Sequence, residues 1–281
     1  MCDAWLVEHR FGRRLECHHC GYMMKTPEIC PSCEDTGSLV ACGPGVERLF
    51  EEASALLPDA RIEIVTSDTL QGPLAAAAFV DRITSGEINL IIGTQIVAKG
   101  YHFPLLTLVG VVDADLGLAG GDLRAAERTF QMLSQVAGRA GRAGHAGRVL
   151  LQTANPTASV LQAIAHNDRD GFYAAEADMR RQQTWPPYGR LAALIVSGED
   201  EGQVERVAAD LARVAPQAEG LRVLGPAAPP LALLRGRYRR RLLMKTDRKI
   251  SIQKAVSDWI NRVKPPTSVR IQIDIDPYSF M

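Results

Sequence analysis

The chain has 281 residues, 46% of them apolar and 23% charged, and its 32 basic and 32 acidic side chains cancel. Such values belong to an ordinary globular protein of about two domains, and zero net charge leaves any polyanion-binding role to local clusters. The longest apolar runs, such as LLTLVGVV (105–112), are too short to span a bilayer, and the opening MCDAWLVEHRF lacks the layout of a signal peptide, so a membrane span is excluded and a cytoplasmic location with reduced thiols is expected.

Residues 1–38 are rich in Cys, His and charge and poor in apolar periodicity. From residue 39, short apolar runs alternate with amphipathic stretches. The runs are LVAC (39–42), RIEIV (61–65), INLII (88–92), LTLVGVVDAD (106–115) and RVLLQT (148–153). Helices are predicted between them over 46–57, 73–85 and 124–138. This alternation over 39–153 predicts an α/β fold, a parallel sheet covered by helices. TANPTAS (153–159) reads as a connector, followed by one long helix to about Gln183 and a breaker at WPPYG (185–189), so 154–189 is a helical connector. Over 190–281 the order is strand 191–197, helix 204–215, strand 221–225, strand 237–245, helix 252–263 and strand 268–276. That βαββαβ order predicts a ferredoxin-like domain. Trp5, Trp185 and Trp259 are read as packing anchors.

Cys17-x2-Cys20 and Cys30-x2-Cys33 have the spacing of knuckles that hold structural zinc, with Cys2 a further candidate ligand. His18 and His19, flanked by two thiols, are expected to face solvent, and Cys42 to be a small buried hydrophobe. GTQIVAKGYHFP (93–104) follows a predicted strand, so its Gly-rich turn lies where parallel sheets bind ligands, with Lys99 and Gly100 offering charge and close backbone approach. QVAGRAGRAG (135–144) puts Gln135, Arg139 and Arg142 on one helix face between Gly and Ala. Two readings stand: a basic fraying helix end stopped by Gly144, or a bare face that admits a phosphate-bearing ligand to the Arg forks. No G-x-x-x-x-G-K-[ST] loop occurs, and Asp200 and Glu201 are read as a loop start or helix cap. RGRYRRR (235–241) places Arg235, Arg237, Arg239 and Arg241 on one strand face and Tyr238 and Arg240 on the other, with no acids nearby in the sequence. Phosphate contact and a solvated, charge-protected edge strand are the two readings of that pattern.

QVAGRAGRAG, GTQIVAKGYHFP, DADLGLAGGDLRAAERTFQ (113–131), WPPYGRLA (185–192) and DIDP (274–277) together resemble the primosomal protein N′ family, replication-restart DNA helicases of superfamily 2. The resemblance covers essentially the whole chain and corresponds to the carboxy-terminal half of that family. It implies a RecA-like second helicase lobe over 39–153, a truncated zinc-binding segment over 1–38, and ATP-dependent 3′–5′ unwinding and primosome assembly in the full-length protein. It further implies that Arg139 and Arg142 are arginine fingers, that Gln135 senses the nucleotide, and that Gly93, Thr94, Gln95, Lys99 and Gly100 belong to a nucleotide- and DNA-coupling motif. ATP and Mg2+ would be used only with a first lobe. Partners implied are forked or single-stranded DNA, primosome proteins and single-strand DNA-binding protein, with no membrane. Cys2 would share a zinc with Cys17 and Cys20, and Cys30 and Cys33 would belong to another. The sequence departs from the family at Ile64 and Thr66, where Arg and Asp are usual beside Asp68 and Thr69, and at Tyr101, where His is usual. A non-enzymatic DNA-binding or primosome-docking platform is the alternative function.

Overall fold

The structure, a computed structural model, describes residues 2–9, 14–36, 45–65, 72–94, 103, 105–118, 122–141 and 147–278. It is a mixed α/β chain that divides into two compact units: Ala41–Arg169, and Met1–Val40 together with Asp170–Met281.

In the unit Ala41–Arg169 the predicted alternation is found. The helices are α1 (Val46–Leu56), α2 (Pro73–Thr84), α3 (Ala125–Ala137) and α4 (Ser159–Ala165). Among the described residues the strands form two separate parallel pairs rather than the one parallel sheet expected, β4 (Ile62–Val65) with β5 (Leu90–Gly93) and β6 (Leu108–Val111) with β7 (Arg148–Leu151). Parallel neighbours need a crossover, and α2 and α3 supply them. The run LVAC (39–42) lies outside the described residues. Pro73 stands at the start of α2, where a missing N–H costs nothing. Phe79 and Ile83 of that helix bury against Val65, Ile88 and Phe103, and the Phe79 and Phe103 rings meet edge to face with centroids 6.3 Å apart. The single long helix expected up to Gln183 is two helices, α4 and α5 (Arg169–Gln182). Asn167 takes a left-handed conformation (φ 53°) and its N–H bonds back to the Ile164 carbonyl, which closes α4 as Asn commonly does at a helix end.

The other unit holds two antiparallel sheets. Three short strands, β1 (Val7–His9), β2 (Arg14–Glu16) and β3 (Met23–Lys25), pair in the order β1-β2-β3 within the Cys-rich segment. Sequence patterning did not show them, because three-residue strands are too short to display a period. The carboxy-terminal part follows the predicted βαββαβ order: β8 (Gly189–Gly198), α6 (Glu201–Arg213), β9 (Leu221–Ala227), β11 (Arg237–Asp247), α7 (Ile252–Ile260) and β12 (Arg270–Ile275). These strands lie in the spatial order β12-β8-β11-β9, all antiparallel. An additional two-residue strand, β10 (Leu233–Leu234), pairs with the first residues of β11, so β9 and β10 share one of its edges. Asp200 caps α6 through its carboxylate, which accepts the Gln203 N–H at 2.7 Å. Alternate residues Ala192, Leu194 and Val196 of β8 and Leu242 and Met244 of β11 face Val204, Val207, Leu211, Val256 and Trp259 of the two helices, giving a dry core. Trp259 is fully buried and Trp185 half-buried, whereas Trp5 is 81% exposed and anchors no core.

Candidate functional site

The two Cys knuckles share one backbone geometry. The Cys17 N–H donates to the Tyr22 carbonyl and the Gly21 N–H to the Cys17 carbonyl; likewise the Cys30 N–H donates to Asp35 and the Glu34 N–H to Cys30. The residue that closes each turn has a positive φ, 72° at Gly21 and 58° at Glu34. Glycine takes that conformation freely; at Glu34 the turn imposes it on a side chain. The sulfurs of Cys2, Cys17 and Cys20 lie within 4.8 Å of one another, with Cys17 buried. Tetrahedral zinc with Zn–S bonds of about 2.3 Å needs sulfurs about 3.8 Å apart, so three thiolates in this arrangement fit such an ion with small shifts. Cys30 and Cys33 are not in that cluster, and His18 and His19 are exposed as expected. Cys42 lies outside the described residues.

The arginines of RGRYRRR have separate fates. Arg235 is not in the strand: with Gly236 it forms the two-residue turn between β10 and β11, where φ is 51° and 74°. Its N–H donates to the Cys2 sulfur at 3.2 Å and its Nε to the His19 carbonyl at 3.2 Å. Arg237 reaches Glu199 at 3.4 Å, and Arg240 reaches Glu201 at 3.0 Å and Glu205 at 2.6 Å. The acids that the linear sequence did not put beside these arginines are thus brought there by the turn from β8 into α6. Arg240 shares the helix-covered face with Leu242 and Met244, and those carboxylates hold its guanidinium firmly protonated. Arg239 and Arg241 point to the other face, beside Ser197 and Arg270 and beside Ile195 and Gln272 respectively. Arg239 is buried, and burial together with the neighbouring Arg241 pulls its pKa down from the usual arginine value. Arg270 and Arg222, at either side of that face, are exposed.

In the unit Ala41–Arg169, Gly93 and Thr94 are exposed at the end of β5, Gln135 is exposed in the last turn of α3, and Arg139 is half-buried just past Gly138. Gln95, Lys99, Gly100 and Arg142 lie outside the described residues. A polar cleft that sequence reasoning passed over opens beyond the carboxyl ends of β6 and β7, about 770 Å³, lined by Arg48, Glu52, Asp113, Asp115, Gln152 and Thr153 among others. An acid directly after a parallel strand was the available signal. Both acids are engaged: Asp113 accepts the N–H groups of Asp115 and Leu116 at 3.0 and 3.1 Å, and Asp115 accepts the Thr153 hydroxyl and the Ala154 N–H, each at 2.7 Å. The Thr153 hydroxyl, then the Ala154 N–H, hold the Asp115 carboxyl below its ordinary pKa. Among the described residues no helix is long and apolar enough to cross a membrane.

Two protein families match this chain. Residues 181–278 match the family described as primosomal protein N C-terminal domain, and residues 1–25 the PriA DNA helicase Cys-rich region domain. Among similar proteins, replication restart protein PriA of Rickettsia conorii is 43% identical over 99% of this chain and 43% of its own length. The Bacillus subtilis protein of that name is 36% identical over 100% of this chain and 35% of its own. That of Haemophilus influenzae is 32% identical over 98% and 38%. The chain therefore spans less than half the length of the curated relatives it matches.

Proposed function

We propose, from the premise that this chain is a relative of replication restart protein PriA along nearly all of its own length, that it supplies the second motor lobe, the zinc segment and a DNA-contacting domain to a replication-restart helicase. The observation that carries this reading is the unbroken similarity from the Cys-rich segment to the last strand. In this reading residues 39–153 act as a RecA-like lobe, with Gln135, Arg139 and Arg142 presented to the γ-phosphate of ATP and Mg2+ held by a first lobe. Gly93, Thr94, Gln95, Lys99 and Gly100 couple that nucleotide to DNA. The residues 154–189 connect this lobe to the domain 190–281. There, forked or single-stranded DNA lies on the sheet face opposite α6 and α7, with Arg241, Arg270 and Arg222 at phosphates, Arg237 at the rim and Arg239 beneath. Primosome proteins and single-strand DNA-binding protein are the protein partners, and zinc at Cys2, Cys17 and Cys20 shapes the first segment. The test is fork-DNA binding by the wild type and an Arg241→Ala/Arg270→Ala variant over a salt series. Each lost phosphate contact lowers the log–log slope by about 0.9 on duplex and about 0.7 on single strands. An unchanged slope in a folded variant overturns this placement.

The reading as a DNA-binding or primosome-docking platform without motor function is favoured by where the two family matches fall, on residues 1–25 and 181–278. The two readings separate in one assay. Alone, the chain is expected not to hydrolyse ATP with any DNA, since phosphoryl transfer depends on groups that hold phosphate and Mg2+. Added to a separately produced first lobe, it restores DNA-dependent hydrolysis if it is motor, with loss in Arg139→Ala, and restores none if it is only a platform.

A further inference from the structure

Residues 2–3 and 233–235 are 230 positions apart in the sequence yet form one hydrogen-bonded patch. The Asp3 N–H donates to the Leu233 carbonyl at 3.0 Å, and the Asp3 carboxylate accepts the Leu233 N–H at 2.7 Å. One residue before Asp3 and two after Leu233, the Arg235 N–H meets the Cys2 sulfur, and the Arg235 side chain reaches past it to the carbonyl of His19, inside the first knuckle. Two bonds thus fix Asp3 on the short strand β10, and two more fix the thiol cluster on the tip of the β10–β11 hairpin.

The turn geometry shows that this contact is specific to residue 235. A two-residue hairpin with both central residues at positive φ is well matched to strand twist and favours Asn-Gly or Gly-Gly. Arg is a poor occupant of the first position, since its Cβ crowds the backbone there. What Arg brings is a donor long enough to bridge from the turn to His19, while the turn aims its own N–H at sulfur. Three thiolates around a divalent ion carry an excess negative charge, and N–H donors and a guanidinium stabilise such charge and fix the orientation of the ligands.

We propose that Arg235 is a positioning residue of the thiolate site, so that zinc loading of Cys2, Cys17 and Cys20 and docking of the Cys-rich segment on the carboxy-terminal domain are one coupled event. This rests on the reading of that cluster as a zinc site. Metal held there freezes the Cys2 sulfur where the Arg235 N–H meets it, and the docked hairpin in turn holds the first thiolate ready for metal. Arg235 is then spoken for by the Cys segment rather than by nucleic-acid phosphate.

The test uses the whole 281-residue chain in three forms: wild type, Arg235→Gly, which keeps the turn and its N–H but removes the guanidinium, and Asp3→Ala, which removes the acceptor for Leu233. Zinc transfer to a chromogenic chelator, the sulfur-to-metal charge-transfer band of the cobalt form, and amide exchange of residues 233–235 with and without zinc are read on each. Expected are zinc affinity lower by about 10-fold in both variants, a shifted cobalt band, and slower hairpin exchange in the wild type when zinc is bound. Zinc held equally by all three chains, with hairpin exchange indifferent to metal, overturns the coupling alone. A wild-type chain that holds no zinc overturns the zinc reading and the coupling with it.

Discussion

Arg240 and Glu205, 35 residues apart, join β11 to α6 through an Nη2–Oε1 bond of 2.6 Å. The Arg240 side chain is 17% exposed, Glu205 57% exposed, and Glu201 shares the same nitrogen at 3.0 Å. The guanidinium thus lies at the rim of the apolar core with its charge matched from one side.

Replacing Arg240 by Ala is expected to destabilise the carboxy-terminal domain by about 1 kcal/mol, part from lost stem packing and part from the ion pair, which solvent at the glutamates weakens. Denaturant midpoints of Arg240→Ala, Glu205→Ala and the double variant give the coupling, expected at a few tenths of a kcal/mol. A coupling of zero makes the pair a crossing of two solvated side chains.

Trp259 is the largest fully buried side chain, and its indole N–H donates to the Leu211 carbonyl at 2.9 Å, tying α7 to α6. Trp259→Phe leaves that carbonyl bare and a small void, for a loss of about 2 kcal/mol; Trp259→Ala is expected to lose roughly 3–5 kcal/mol. Thermal melts followed by circular dichroism check the order of the two. Equal melting temperatures for wild type and Trp259→Phe would mean that the carbonyl finds another donor.

The Asp115 carboxylate ties the end of β7 to the turn after β6. Because its folded pKa is depressed below the unfolded value, its contribution is present in full above about pH 4 and fades as pH falls through the lower folded value. Thr153→Val removes the largest cause, so the Asp115 pKa rises toward its ordinary value and the acid-side loss of stability begins at higher pH. Carboxyl carbon shifts across a pH series read this directly, and identical titrations in both chains would reassign the shift to another cause.

Zinc content is expected to stay below two per chain. Two four-thiolate cages need more sulfur than Cys2, Cys17, Cys20, Cys30 and Cys33 provide, and only three of those sulfurs converge. Chelation is expected to loosen the Cys-rich segment and spare the helix-covered core, because most of that core's contacts come from residues 190–275. Elemental analysis of the purified chain finding two tightly held zincs would refute the count.

Sequence alone determined the longer elements and their order, but not β1–β3, β10 or the break between α4 and α5. The continuous apolar run of β8, the helical period of α6 and α7, and Asp200 before a helix are signals written within about a dozen residues, where backbone preference and burial pattern agree. The two knuckles were legible for the same reason, since the Cys-x2-Cys turn is local. The tertiary structure decided which groups meet. It brought Cys2, Cys17 and Cys20 together, the grouping that the family resemblance had implied, gave Arg240 its glutamates, exposed Trp5, and turned Arg235 from a strand into a hairpin tip at the Cys2 sulfur. Asp3 and Leu233 pair across 230 residues, and no periodicity carries that information. Such contacts are fixed by how the sheet edge left open beside β10 satisfies its backbone groups, a requirement that exists only once the fold has made the edge.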